Sequence, residues 1–236
     1  ARALPAGTAF EAGLFAFLLT PESSWSQNTQ TTYQQGQYQE NQEQPSPEQP
    51  SQRKAYSDKI ASTYNFRFGK ELPFAPGNPD LQGGGFIQPG AFPDATYCAH
   101  CHQEAYHQWR QALHSNSFRA PFYRTSVNLL NNTKGIEFSR HCGSCHNPIA
   151  TLSGALTENS LVNRKFDNNG VTCMVCHSIQ GLKSTSGNGG YVMGVPAVMV
   201  DEDGKRIPGE VPYEEIMRHT DRHVRAVMQP FYRTPQ

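Results

Sequence analysis

Every cysteine in this 236-residue chain belongs to one five-residue pattern. Cys98 and Cys101, Cys142 and Cys145, and Cys173 and Cys176 form three C-x-x-C pairs, each followed directly by a histidine: His102, His146 and His177. C-x-x-C-H is the attachment signature of c-type haem. Two thiols three residues apart reach the two vinyl groups of one porphyrin as thioethers. The next imidazole then meets the iron from the same side, as proximal ligand. Zinc ribbons pair two C-x-x-C units, which leaves one unit of three without a mate. A redox dithiol does not require a following histidine, let alone three times. The pattern therefore predicts three covalently bound haem c groups, with the six cysteines as thioether donors and His102, His146 and His177 as proximal iron ligands.

Composition agrees. Hydrophobic residues make up 36% of the chain and charged residues 17%, both below the roughly 45–50% and 25% of an ordinary soluble domain. Gln, Asn, Ser, Thr, 20 Gly and 17 Pro fill the difference. Such a chain is short of aliphatic core, and three flat porphyrins would supply it. The expected fold is mostly irregular, with short α-helices and a few short β-strands: a multihaem cytochrome c fold organised around stacked haems. With 20 Lys and Arg against 20 Asp and Glu, there is no basic surplus for binding nucleic acid. No window reaches the roughly 18 apolar residues of a membrane span. The nearest, Ala9–Leu19, is short and carries Glu11. The numbering begins at Ala1 without an initiator Met, so we expect a mature exported chain, extracellular or periplasmic.

Three segments follow from composition. Residues 1–53 are apolar and then Gln/Pro-rich, an arm expected to contact a neighbouring subunit. Residues 54–91 read as one short strand, carried by Tyr64, Phe66 and Phe68, followed by loops around Gly83-Gly84-Gly85. Residues 92–236 form the trihaem domain. In it the spacing of Tyr106, Trp109 and Leu113 predicts a helix over 95–119. The second motif sits on a short helix stopped by Pro148, and the third follows an Asn168-Asn169-Gly170 turn. A hairpin is expected over 191–208, turning at 201–205, and a last helix over 212–228.

Six histidines remain once the proximal ones are assigned: His100, His107, His114, His141, His219 and His223. That surplus favours bis-histidine over His/Met ligation, leaving the methionines as core fillers. His141 precedes Cys142 directly; it cannot easily reach its own haem's distal face but can reach a neighbouring one. His219 and His223, four apart, share a helix face; His223 is the preferred ligand of the two. His100, inside a C-x-x-C loop, is expected to face solvent, and His107 to lie on a polar helix face.

The string Cys98-x-x-Cys101-His102-x-x-x-Tyr106-x-x-Trp109-x-x-x-x-His114 resembles the opening of the cytochrome c-554-like family of multihaem cytochromes, which is related to the haem domains of hydroxylamine oxidoreductase. Cys145-His146-Asn147-Pro148 and Gly170-Val171-Thr172-Cys173-x-x-Cys176-His177 look like that family's second and third motifs. The resemblance covers about 92–236 and does not extend to 1–91. It implies that His114 is a distal ligand, to a haem other than its own motif's. Ala112 departs from the family, which usually has Ser there. In many relatives a stretch like the one from His223 to Gln236 leads into a further C-x-x-C-H. Here the sequence stops, which leaves open a three-haem product, a processed chain or an incomplete one.

The resulting expectation is electron transfer outside the cytoplasm, either by a subunit of a polymeric cytochrome filament or by a monomeric periplasmic shuttle. The partners are further copies of the chain, other redox proteins or extracellular acceptors. A second class is a redox enzyme acting on a small nitrogen compound at one open haem. A third, a surface protein with incidental haems, rests only on the arm. No catalytic triad or phosphate loop stands out.

Overall fold

The computed structural model describes residues 50–156, 164–184 and 189–228. Residues 1–49, most of the expected arm, and 229–236 lie outside that range. The first element, helix α1, runs Pro50–Thr63. Its sequence is rich in Ser and charged residues and has no continuous apolar stripe. Tyr56 and Ile60 alone, one turn apart, pack it against the core, and the Tyr56 hydroxyl donates to the Ser153 carbonyl at 2.8 Å. The alternating aromatics after it form no strand. Residues 64–66 are irregular, and their rings gather into a cluster. Tyr64 lies 5.0 Å from Phe66 and 4.7 Å from Phe86, and Phe74 meets Phe86 edge-on at 5.9 Å.

That cluster continues into one core of Phe74, Leu81, Phe86, Ile87, Phe92, Ile149, Leu152, Val175 and Met193. Residues 50–92 are thus built into the same core as Val175 of the third motif and Ile149 and Leu152, which follow the second. Fully burying a side chain such as Ile149 or Leu152 contributes about 1.5–3 kcal/mol. A second core joins Met174, Val198, Met199, Val211 and Ile216.

The expected long helix over 95–119 is three: α2, Ala95–Ala99, α3, Gln103–Gln111, and α4, Leu113–Asn116. The first break falls at the motif, where His102 leaves helical geometry (φ −105°, ψ 52°), and the second at Ala112 (φ −74°, ψ 158°). Helix α5, Pro121–Lys134, begins on the proline. Helix α6, Arg140–His146, carries the second motif, and Pro148 starts α7, Pro148–Leu152. Helix α8, Cys173–His177, carries the third motif.

Strand β1, Asp80–Leu81, runs parallel to β3, Tyr191–Met193, which pairs antiparallel with β2, Ile179–Leu182. The hairpin is narrower than expected. Only β4, Met199–Val200, and β5, Arg206–Ile207, pair across the 201–205 turn. The last helix is also split, into α9, Tyr213–Arg218, and α10, Thr220–Val227, at His219 (φ −131°, ψ 56°).

Candidate haem sites

The second and third motifs sit on helices of one or two turns, while the first starts at the end of α2 and runs into the break at His102. Asp94 caps α2, accepting from the Thr96 amide at 2.9 Å, and its other oxygen takes the Asn169 side-chain amide at 3.0 Å. Burial works to raise the Asp94 carboxyl. The hydrogen bonds from Thr96 and Asn169 outweigh it and hold the pKa below the ordinary value. Asn169 belongs to the turn before the third motif, so Asp94 joins motif one to motif three. The two inner residues of the third motif are themselves anchors. Met174 enters one core and Val175 the other, each 2% exposed. In the second motif, the Ser144 carbonyl accepts from the Tyr191 hydroxyl at 2.9 Å.

None of the six cysteines forms a disulfide. Cys101, Cys145 and Cys176 are exposed, and Cys98, Cys142 and Cys173 half-buried. Burial pushes the Cys142, Cys145 and Cys176 thiols above their ordinary pKa. Cys98 and Cys173, from different motifs, lie side by side and share a hydrogen bond that raises Cys98 and lowers Cys173. A zinc site would gather several thiolates or imidazoles around one point. Among the described residues, which include every Cys and His, no group of three or more His, Cys, Asp or Glu side chains does so.

The histidines are arranged differently. The rings of His102 and His223 stand 6.2 Å apart, centre to centre, inclined by 26°. Two imidazoles on opposite sides of one iron have a bond of about 2 Å on each side plus roughly 1 Å from nitrogen to ring centre, about 6 Å in all. The Nδ1 atom of His223 lies 2.6 Å from the Val198 carbonyl. That of His146 is 2.8 Å from the Ser117 carbonyl, and that of His177 is 3.1 Å from the Val227 carbonyl. A carbonyl can only accept, so these bonds require Nδ1 to carry the proton and leave the Nε2 lone pair for a metal. Histidines that bind metals are held in this way.

The remaining candidates fall elsewhere. His219 does not sit on one continuous helix with His223, and its Nε2 faces the Glu215 carboxylate at 3.4 Å. His114 is exposed and lines a cavity of about 830 Å³ together with His146, Cys145, Cys176, Val175 and Tyr191. That volume lies within the range of cofactor sites. His141 is exposed beside Cys142. His100 stacks on Tyr213, with ring centres 3.8 Å apart, and His107 meets Tyr106 edge-on.

Tyr123, which sequence reasoning missed, stacks flat on His146 at 4.0 Å and 12°. Its hydroxyl is buried with no hydrogen-bond partner among the described residues, as is that of Ser178, next to His177. Buried orphan donors beside the attachment residues suit a site built to receive a further polar group.

Gly170 holds His114 in place. Its φ is +55°, and a Cβ there would collide with the His114 carbonyl oxygen and come within 2.6 Å of the Ser117 Oγ. We expect Gly170→Ala to destabilise the fold by more than the ~1 kcal/mol that left-handed geometry alone costs an L-residue. Thermal unfolding checks this. Because the Val171 amide and the Ser117 amide both donate to the His114 carbonyl, the same change should disturb the haem spectrum.

Residues 97–178, about a third of the chain and all three motifs, match the family model described as cytochrome c554 and c-prime. The match supports a c-type cytochrome family. The cofactor of such cytochromes is covalently bound haem c, and their work is electron transfer. No curated protein and no solved structure gives a significant match to the chain. The matched stretch ends before His219 and His223, so the approach of the His102 and His223 rings is seen in the fold and not in the match.

Proposed function

We propose that the protein is a trihaem c-type cytochrome that transfers electrons outside the cytoplasm, with bis-histidine ligation of its irons. One observation carries this reading: the iron-sized gap between His102, proximal by motif, and His223. When bound, haem c supplies a one-electron couple whose potential follows its axial ligands, hydrogen bonding and burial. The chain's residues do the rest. The thiols of each motif anchor one group. The Val198, Ser117 and Val227 carbonyls fix the rings of His223, His146 and His177 and make them stronger donors. The adjacent Cys98 and Cys173 thiols would bring the first and third groups close together. His114 is the distal ligand we assign to the cavity it lines. His219 ranks behind His223 because Glu215 engages its Nε2.

For assembly we propose a head-to-tail homo-oligomer that extends into a helical filament, with His141, exposed beside the second motif, available to a neighbouring copy. Among the described residues no helix is long and apolar enough to cross a membrane, and the partners we expect are other redox proteins or extracellular acceptors. Negative-stain microscopy of the purified haem protein checks this part; discrete particles at high concentration would remove the filament and leave a monomeric shuttle.

The central test is intact mass with a haem assay. We expect the 26.3 kDa polypeptide plus three covalent haems; a lower count overturns the trihaem reading. A second reading, a redox enzyme acting on a small nitrogen compound, draws on His146. Tyr123 covers one face of its ring, and no second imidazole is in ring contact with it among the described residues. Carbon monoxide binding to the reduced protein would favour that reading.

A further inference from the structure

The second motif's proximal histidine is held more completely than a ligand needs for attachment alone. The Ser117 carbonyl fixes the His146 Nδ1 at 2.8 Å, and the Ser117 hydroxyl donates to the His146 backbone carbonyl at 2.9 Å. Tyr123 then lies flat on the ring at 4.0 Å and 12°. Behind Tyr123, Phe118 meets it edge-on at 5.9 Å and is itself 2% exposed. The Tyr123 hydroxyl is shut off from water and has no partner among the described residues. Among the described residues, the only ring paired with His102 or His223 is the other imidazole, 6.2 Å away.

We infer that Tyr123 is a positioning residue that sets the orientation of His146 and lowers the reduction potential of the second motif's haem. This rests on the trihaem reading above. An imidazole bound to ferric iron is electron-poor, and the face of a phenol ring is electron-rich. The stack therefore favours the oxidised state more than the reduced one. It also blocks rotation of the imidazole, which the single Nδ1 bond would otherwise leave free to rock.

The test uses the haem-loaded full chain. Tyr123→Phe keeps the stack and loses only the hydroxyl; Tyr123→Leu and Tyr123→Met lose the stack while keeping apolar bulk. Redox titration followed spectroscopically reads the three couples, and electron paramagnetic resonance reads the ring orientation at each ferric iron. A stacked aromatic pair contributes about 0.5–1.5 kcal/mol. We therefore expect Leu and Met each to shift one couple upward by about two- to tenfold in its reduction equilibrium, with a changed resonance at the same iron. The Phe variant should stay near wild type. Unchanged couples in both Leu and Met variants overturn the inference. So does a Phe variant that moves as far as they do, because the hydroxyl rather than the stack would then be responsible. The wild-type haem count separates the two levels. Fewer than three haems counts against the trihaem reading itself, and if Cys142 and Cys145 are the unmodified pair, against Tyr123 as well.

Discussion

Replacing His223 with alanine is expected to convert one haem in three from six-coordinate low spin to high spin, leaving the other two unchanged. The ring centres of His223 and His102 lie 6.2 Å apart, and the Val198 carbonyl engages the His223 Nδ1, which leaves the Nε2 lone pair for a metal. Its removal takes a strong donor from that iron, so the first haem's potential should rise. His223→Met tests the same position with a softer ligand, which also raises the potential but preserves six-coordination. His219→Ala is the control. Its Nε2 already faces Glu215, so its spectrum should match wild type. Ferric absorption and electron paramagnetic resonance read all three variants. A low-spin His223→Ala protein, or a high-spin His219→Ala protein, would show that the two histidines have the opposite roles.

The second large effect concerns the third motif. Cys173→Ala with Cys176→Ala removes both thioether donors from α8 and should lower the haem count by one per chain, read by mass and by absorbance. The remaining two haems should persist, but the protein should be less stable. Met174 and Val175, lying between those cysteines, are 2% exposed in two different cores, and loss of the cofactor beside them exposes apolar wall. The same double change in the second motif should remove one haem with less effect on stability, because its inner residues are Gly143 and Ser144. Equal loss of stability in both would contradict the role given to α8.

The attachment sites we propose can be read from the sequence because C-x-x-C-H is a local pattern, decided by reach along the chain whatever the rest of the fold does. The distal side we propose is less legible. His219 and His223 looked alike at four-residue spacing, and Glu215 and the break at His219 separate them. The carbonyls that hold His146, His177 and His223 come from 29, 50 and 25 residues away, and no sequence pattern points to them. Helix α1 was hidden for a different reason. Its composition matches a solvated linker, and Tyr56 and Ile60 are too few to reveal a periodic face. The long helices expected over 95–119 and 212–228 failed at the histidines and at Ala112, where the backbone turns away from helical geometry despite good helix formers on either side.

The embedding of α8 in two cores also constrains the order of maturation. A helix whose middle residues are locked into both walls cannot swing outward to meet a modifying enzyme. In the folded chain Cys173 is half-covered and touches Cys98. On the trihaem proposal, we expect the thioethers of the third motif to form before the Met174 and Val175 pockets close. Attachment and folding compete in time, and a variant that folds faster without its cofactor would leave the cell with fewer haems, however stable it is.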